Sequence, residues 1–167
     1  MIEVRVDDLA FFEGDAIVRP VNADLGATTP LMRRLEQAAG PTLPGKIQLH
    51  EPLPVGAAVV TAAGALGAGF LVNAVVSSDT EPATRATVRH ALTSALHRVE
   101  GWRMESVAIA PLGLGAGNLA IEESADVMCE VLAAHLRHAR FPQRVAIFVE
   151  TADEETALVI AARRNGL

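Results

Sequence analysis

Cysteine is nearly missing from this chain: Cys129 stands alone among 167 residues. One thiol cannot close an internal disulfide, so a disulfide-stapled scaffold is excluded and a reducing compartment, the cytoplasm, is expected. Lysine is as scarce. Lys46 is the only one, against thirteen arginines, which leaves Schiff-base chemistry a single candidate with nothing around it to support the role. No run of about 18 apolar residues exists, so no membrane span is expected. The amino-terminal MIEVRVDDLAFFEGD has acids where a signal peptide has a basic region and then an apolar run. Positive charge is short as well. A net charge of −6 argues against a general nucleic-acid binder, which needs clustered Lys and Arg. It does not exclude one site for a phosphorylated ligand, because backbone N–H groups can build that site.

Apolar residues are plentiful. They make up 50% of the chain and charged residues 20%, enough for a sizeable core, and the length suits one domain over residues 1–167. Strand patterns fall at Ile2–Val6, Asp15–Val21, Gly56–Ala62, Gly69–Val76, Ser106–Ala110 and Arg144–Val149. Pro20 should disturb the end of the second. Helical patterns run over Pro30–Ala39, from about Glu81–Pro82 to Glu100, over Ile121–Arg140 and over Asp153–Arg164. Thr29 is placed to cap the first helix, with Pro30 at its first position and Gly40–Pro41 to stop it. Thr42–Pro54, with three prolines, reads as loop. Strands interleaved with long helices predict an α/β protein: a three-layer α/β/α sandwich on a mixed, largely parallel sheet.

Two segments could carry chemistry. Gly113-Leu114-Gly115-Ala116-Gly117-Asn118 lies between an apolar strand and an amphipathic helix. Alternating glycines let backbone approach a ligand and reach positive φ, and the helix adds a positive dipole end. The spacing is not that of the dinucleotide fingerprint, and a tight turn that binds nothing has the same composition. The second segment is Asp15–Leu25, where Asn22 and Asp24 follow a buried strand. Asn22 could hold a ligand hydroxyl through its carboxamide, or simply bond to nearby backbone. The histidine pairs His90/His97 and His135/His138 lack further ligands, so no metal site is expected. Cys129, inside a helix without a flanking base, reads as a buried structural thiol.

The chain resembles a macrodomain, the α/β module that binds ADP-ribose and related nucleotides, along nearly its whole length. The anchors are VDDLAFFEGDAIVRPVNADL, EQAAGP, LPVGAAVVTAAGALGAGFLVNAV and VAIAPLGLGAGNLAIEESA, in family order. The resemblance implies that Asp8 holds the adenine amino group and that the Leu9 backbone assists. It implies that Asn22 contacts the distal ribose. Gly113, Leu114, Gly115, Ala116 and Gly117 would wrap the diphosphate, with Asn118 and Leu119 continuing that loop.

The departures bear on activity. The family's glycine run is replaced by Ala27, Thr28, Thr29 and Pro30, and Pro30 has no N–H to donate. The acid that follows it in many catalytic members is Met32. The first Asn of the Asn-Ala-Ala-Asn motif is Arg19, and the VETAD segment around Glu150 offers no ring to stack on adenine. Either Thr29 and Pro30 close the distal half of the cleft, or the Thr28 and Thr29 hydroxyls face an anion with Arg33 or Arg34 nearby. The expected function is binding of ADP-ribose or a related adenine diphosphate nucleotide, without a cofactor and with a degenerate catalytic loop. Two rivals stand beside it. One is hydrolysis of ADP-ribosyl esters or O-acetyl-ADP-ribose, with Asn22 and Asp24 as candidate catalytic groups. The other is a ligand-free scaffold for protein partners, and a homo-oligomer is left open.

Overall fold

The computed structural model describes residues 1–41, 51–115 and 118–167. Its sheet has six strands in the order β1-β6-β5-β2-β4-β3. They are β1 (Ile2–Val6), β2 (Gly14–Asn22), β3 (Ala58–Ala62), β4 (Ala68–Ser77), β5 (Ser106–Ile109) and β6 (Arg144–Val149). All neighbours are parallel except β3 and β4. The helices are α1 (Pro30–Ala39), α2 (Arg85–Gly101), α3 (Ile121–Leu136) and α4 (Ala152–Arg164). No helix among the described residues is long and apolar enough to cross a membrane.

Two-residue periodicity sorts the strands into two cores. Ala16 and Val18 of β2 face α2, α3 and α4, packing with Val88, Leu92, Met128 and Leu158. Ile17, between them, faces the other way toward Leu9, Met32 and Leu35. The result is the three-layer α/β/α sandwich that the interleaving predicts. Asp15 pins the start of β5 to β2: its Oδ2 accepts from the N–H groups of Glu105 at 2.7 Å and Ser106 at 2.9 Å.

Element limits differ from the sequence patterns for local reasons. Helix α2 begins at Arg85 rather than near Glu81, because Thr84 supplies a reciprocal cap with Thr87 and the Ser78 hydroxyl holds residues 78–81 in a turn. Helix α3 ends at Leu136 instead of Arg140, where the His135 ring donates from Nε2 to the Phe141 carbonyl at 2.8 Å. Residues 51–54 of the expected Thr42–Pro54 loop lie outside helix and strand, and 42–50 fall outside the described residues.

Candidate functional site

Strand β5 pairs with β2 only as far as Ile109, and Pro20 explains the stop. Ala110 N–H donates to the Val18 carbonyl at 3.2 Å. The next bond of a parallel ladder would need an N–H from residue 20, which proline lacks. The sheet therefore parts at the carboxyl ends of β2 and β5, the place where open α/β sheets bind ligands. The chain leaves β5 buried through Leu112, whose carbonyl accepts from the Ser124 hydroxyl at 2.6 Å.

Gly113 follows at φ 84°, and a Cβ there would lie 2.6 Å from Val88 Cγ2. Gly115 takes φ 123° and is exposed. A Cβ on it would sit 3.2 Å from the Thr28 carbonyl oxygen and 3.3 Å from Asn118 Nδ2. Both positions demand glycine for conformation as well as space. The loop closes on itself, with Leu119 N–H donating to Gly113 O at 2.9 Å and Asn118 N–H to Gly115 O at 3.1 Å. Asn118 Oδ1 accepts from Ala83 N–H at 3.0 Å, tying the loop to the entry of α2, and Leu119 packs on the core. Leu114 is half-buried. Ala116 and Gly117 lie outside the described residues. Ala120, ahead of α3, has no side-chain acceptor to cap that helix.

The facing wall is the β2–α1 loop, whose shape is set by Asn22. Its Oδ1 accepts from Asp24 N–H at 3.0 Å and Gly26 N–H at 2.8 Å, while its own N–H donates to Gly26 O at 3.0 Å. Leu25 takes φ 63° within this turn and is buried against Val21, Ala23 and Val75. Asp24 is exposed. Thr29 Oγ1 caps α1, accepting from Met32 N–H at 3.3 Å. Thr28 carries the only buried side-chain oxygen without a hydrogen-bond partner among the described residues.

Arg19 points away from solvent, beneath this loop. Its Nη1 donates to Glu36 Oε1 at 2.7 Å, its Nε to Asn73 Oδ1 at 2.7 Å and its Nη2 to the Leu25 carbonyl at 3.4 Å. Burial pulls the guanidinium below the ordinary arginine range and the Glu36 carboxylate opposes that pull. The charge is thus spent inside the fold. Met32 is buried in the core between α1 and the sheet, beside Leu9 and Phe148.

Asp8 lies at the carboxyl end of β1, exposed, with Oδ1 accepting from Ala10 N–H at 2.9 Å as the cap of a 3-10 turn over Leu9–Phe11. Leu9 is fully buried. The strand order puts Asp8, Glu150, Gly113 and Asn22 at the carboxyl ends of four consecutive strands. Gly115 comes into direct reach of the Thr28–Thr29 segment. Arg34 and Glu150 form an ion pair across this end, from α1 to the end of β6. That pair, and the Arg19–Glu36–Asn73 set, carry no local sequence signal: the partners are far apart in the chain, and nothing near either marks the other. Among the described residues no group of three His, Cys, Asp or Glu could hold a metal ion.

The sequence profile of the Macro domain family matches residues 18–128. An uncharacterised protein of Aeropyrum pernix is 29% identical over 150 residues, covering 88% of this chain and 77% of that protein. A mutant of the Oceanobacillus iheyensis macrodomain with ADPR superposes with a TM-score of 0.84 at 17% identity, covering 98% of this chain and 92% of its own. The Trypanosoma brucei macrodomain in complex with ADP gives a TM-score of 0.81 at 16% identity, with 96% and 68% covered.

Proposed function

The chain belongs to the macro domain family, and from that premise we propose that it is a cytoplasmic module, one domain over residues 1–167, that binds ADP-ribose or a related adenine diphosphate nucleotide without turning it over. The reading is carried by Gly115, held at φ 123° where a side chain would run into the Thr28 carbonyl, at the parted end of β2 and β5. The diphosphate lies on the N–H groups of the Gly113–Gly117 loop, with Leu114 and Ala116 contributing backbone ahead of α3, where Glu123 takes the Ala120 N–H. Asp8 takes the adenine amino group as acceptor, beside the Leu9 backbone. Asn22 keeps the loop's shape through Oδ1 and offers its Nδ2 to a ribose hydroxyl. The unpartnered Thr28 hydroxyl supports a polar ligand at the same wall, since a buried hydroxyl left alone is costly.

Hydrolysis is weakly equipped. Met32 is buried and cannot orient or deprotonate water, and Asn22 Oδ1 is already engaged by two N–H groups. Asp24 is the one acid on the loop, and it is exposed. The test compares Gly115→Glu with the wild type by calorimetry against ADP-ribose. Loss of binding in a variant that still melts cooperatively supports the proposal, whereas equal affinity refutes it. Release of free ADP-ribose or acetate from ester substrates, lost in Asn22→Ala, would replace it with the hydrolase reading.

A further inference from the structure

Strand β1 is the outer strand of the sheet, paired on one side only, with β6. Val145 N–H donates to the Met1 carbonyl at 3.0 Å, which sets the alternation of a parallel ladder. Met1, Glu3 and Arg5 aim their backbone groups at β6, and Ile2, Val4 and Val6 aim theirs outward. Among the described residues no strand pairs with that outer edge. Native proteins guard such edges, and the usual guard is charge that repels a copy of itself. Here the two charges are of opposite sign and two residues apart. Glu3 and Arg5 are both exposed and pair with each other at 2.8 Å within the chain.

We infer that the β1 edge is a homodimer interface, in which two copies of the chain pair β1 antiparallel about a two-fold axis through Val4. In that register Val4 meets Val4 and Ile2 meets Val6 as hydrogen-bonded pairs. Glu3 of each copy then lies opposite Arg5 of the other in the non-hydrogen-bonded position, where side chains approach most closely. The contact is isologous and closes on itself. Slipping the register by two residues sets Glu3 against Glu3 or Arg5 against Arg5, so the charges that stabilise one pairing oppose its neighbours. Val6, on the edge strand, is 48% exposed, and Ile160 of α4, the helix that packs on β1, is 45% exposed. The loop from Gly113, at the carboxyl end of β5, lies two strands inward, whereas Asp8 follows β1 itself.

Sedimentation velocity on the full chain over about 1 to 200 μM tests this, a range that brackets micromolar self-association. The wild type should shift from monomer to dimer. Glu3→Arg and Arg5→Glu should each weaken association at least about tenfold by setting like charges across the strands. An equimolar mixture of the two variants should recover it, because each Arg of one chain then meets a Glu of the other. A monomeric wild type throughout, single variants that associate like the wild type, or a mixture that stays monomeric would each overturn the inference.

Discussion

Arg19 Nη1 stands 2.7 Å from Glu36 Oε1, and this pair underlies the wall of the cleft. Its two sides are unequal: the Arg19 side chain is fully buried and that of Glu36 is 27% exposed. Removing the carboxylate strands a cation in the core, whereas removing the cation leaves a carboxylate that can turn to water. Glu36→Gln should therefore cost roughly 3 kcal/mol, the lower end for stripping one partner from a buried pair, and Arg19→Met should cost less. Urea unfolding of both variants reads the order directly. A greater loss in Arg19→Met would mean that the guanidinium contributes mainly through Asn73 and the Leu25 carbonyl.

Gly113 and Gly115 should separate stability from binding. A methyl at Gly113 collides with Val88 in the core and adds a left-handed backbone penalty. Gly113→Ala should lower stability by about 1–3 kcal/mol, as overpacking does. Gly115 is exposed, so Gly115→Glu should lose ligand while shifting the melting temperature less than Gly113→Ala. Thermal melts of both variants, with and without ADP-ribose, check the pair of effects.

Restoring an acid at position 32 should not create a hydrolase. Met32 is 1% exposed among apolar neighbours. A carboxyl group there has no partner, so Met32→Glu should cost several kcal/mol or fail to fold. A folded, stable Met32→Glu protein that releases ADP-ribose from esters would show that α1 can rotate this position into the cleft.

Cys129 is buried beside the Leu158 carbonyl, and burial, helped by Asp126, pushes its thiol up to about 11 from an ordinary 9.0. The folded state thus keeps a proton that the unfolded chain releases. Its contribution to stability is complete below pH 9 and is lost as pH rises toward 11. A disulfide reagent at pH 8 should label the native protein far more slowly than the unfolded one. Equal rates would place the thiol at the surface.

The sandwich was legible because its signals are local. Val88, Leu92, Ala95 and Leu96 mark one face of α2, Ile2–Val6 reads as a strand at its observed limits, and Thr29 with Pro30 announces the start of α1. The place of the glycine loop was legible too: Gly113 and Gly115 lie between β5 and α3. What pattern reading could not supply is long-range pairing. Nothing near Arg19 names Glu36 and Asn73 as its partners, and nothing near Arg34 names Glu150. The two readings of the Thr28–Met32 segment, a closed distal cleft or hydroxyls facing an anion, turn on what each side chain touches, which neighbours in sequence do not reveal. The structure buries Met32 and engages Thr29 Oγ1 as the cap of α1, while the Thr28 hydroxyl has no partner among the described residues.

The central claim is that the loop from Gly113, facing Thr28, takes a diphosphate nucleotide. Calorimetric titration of the wild type with ADP-ribose, with AMP and ADP alongside, addresses it most directly. The account predicts micromolar binding of ADP-ribose that weakens by at least about tenfold, or 1.4 kcal/mol, for AMP, which lacks the second phosphate. No heat with ADP-ribose or ADP up to millimolar concentration would contradict it, and would leave the loop a strand-to-helix turn that binds neither.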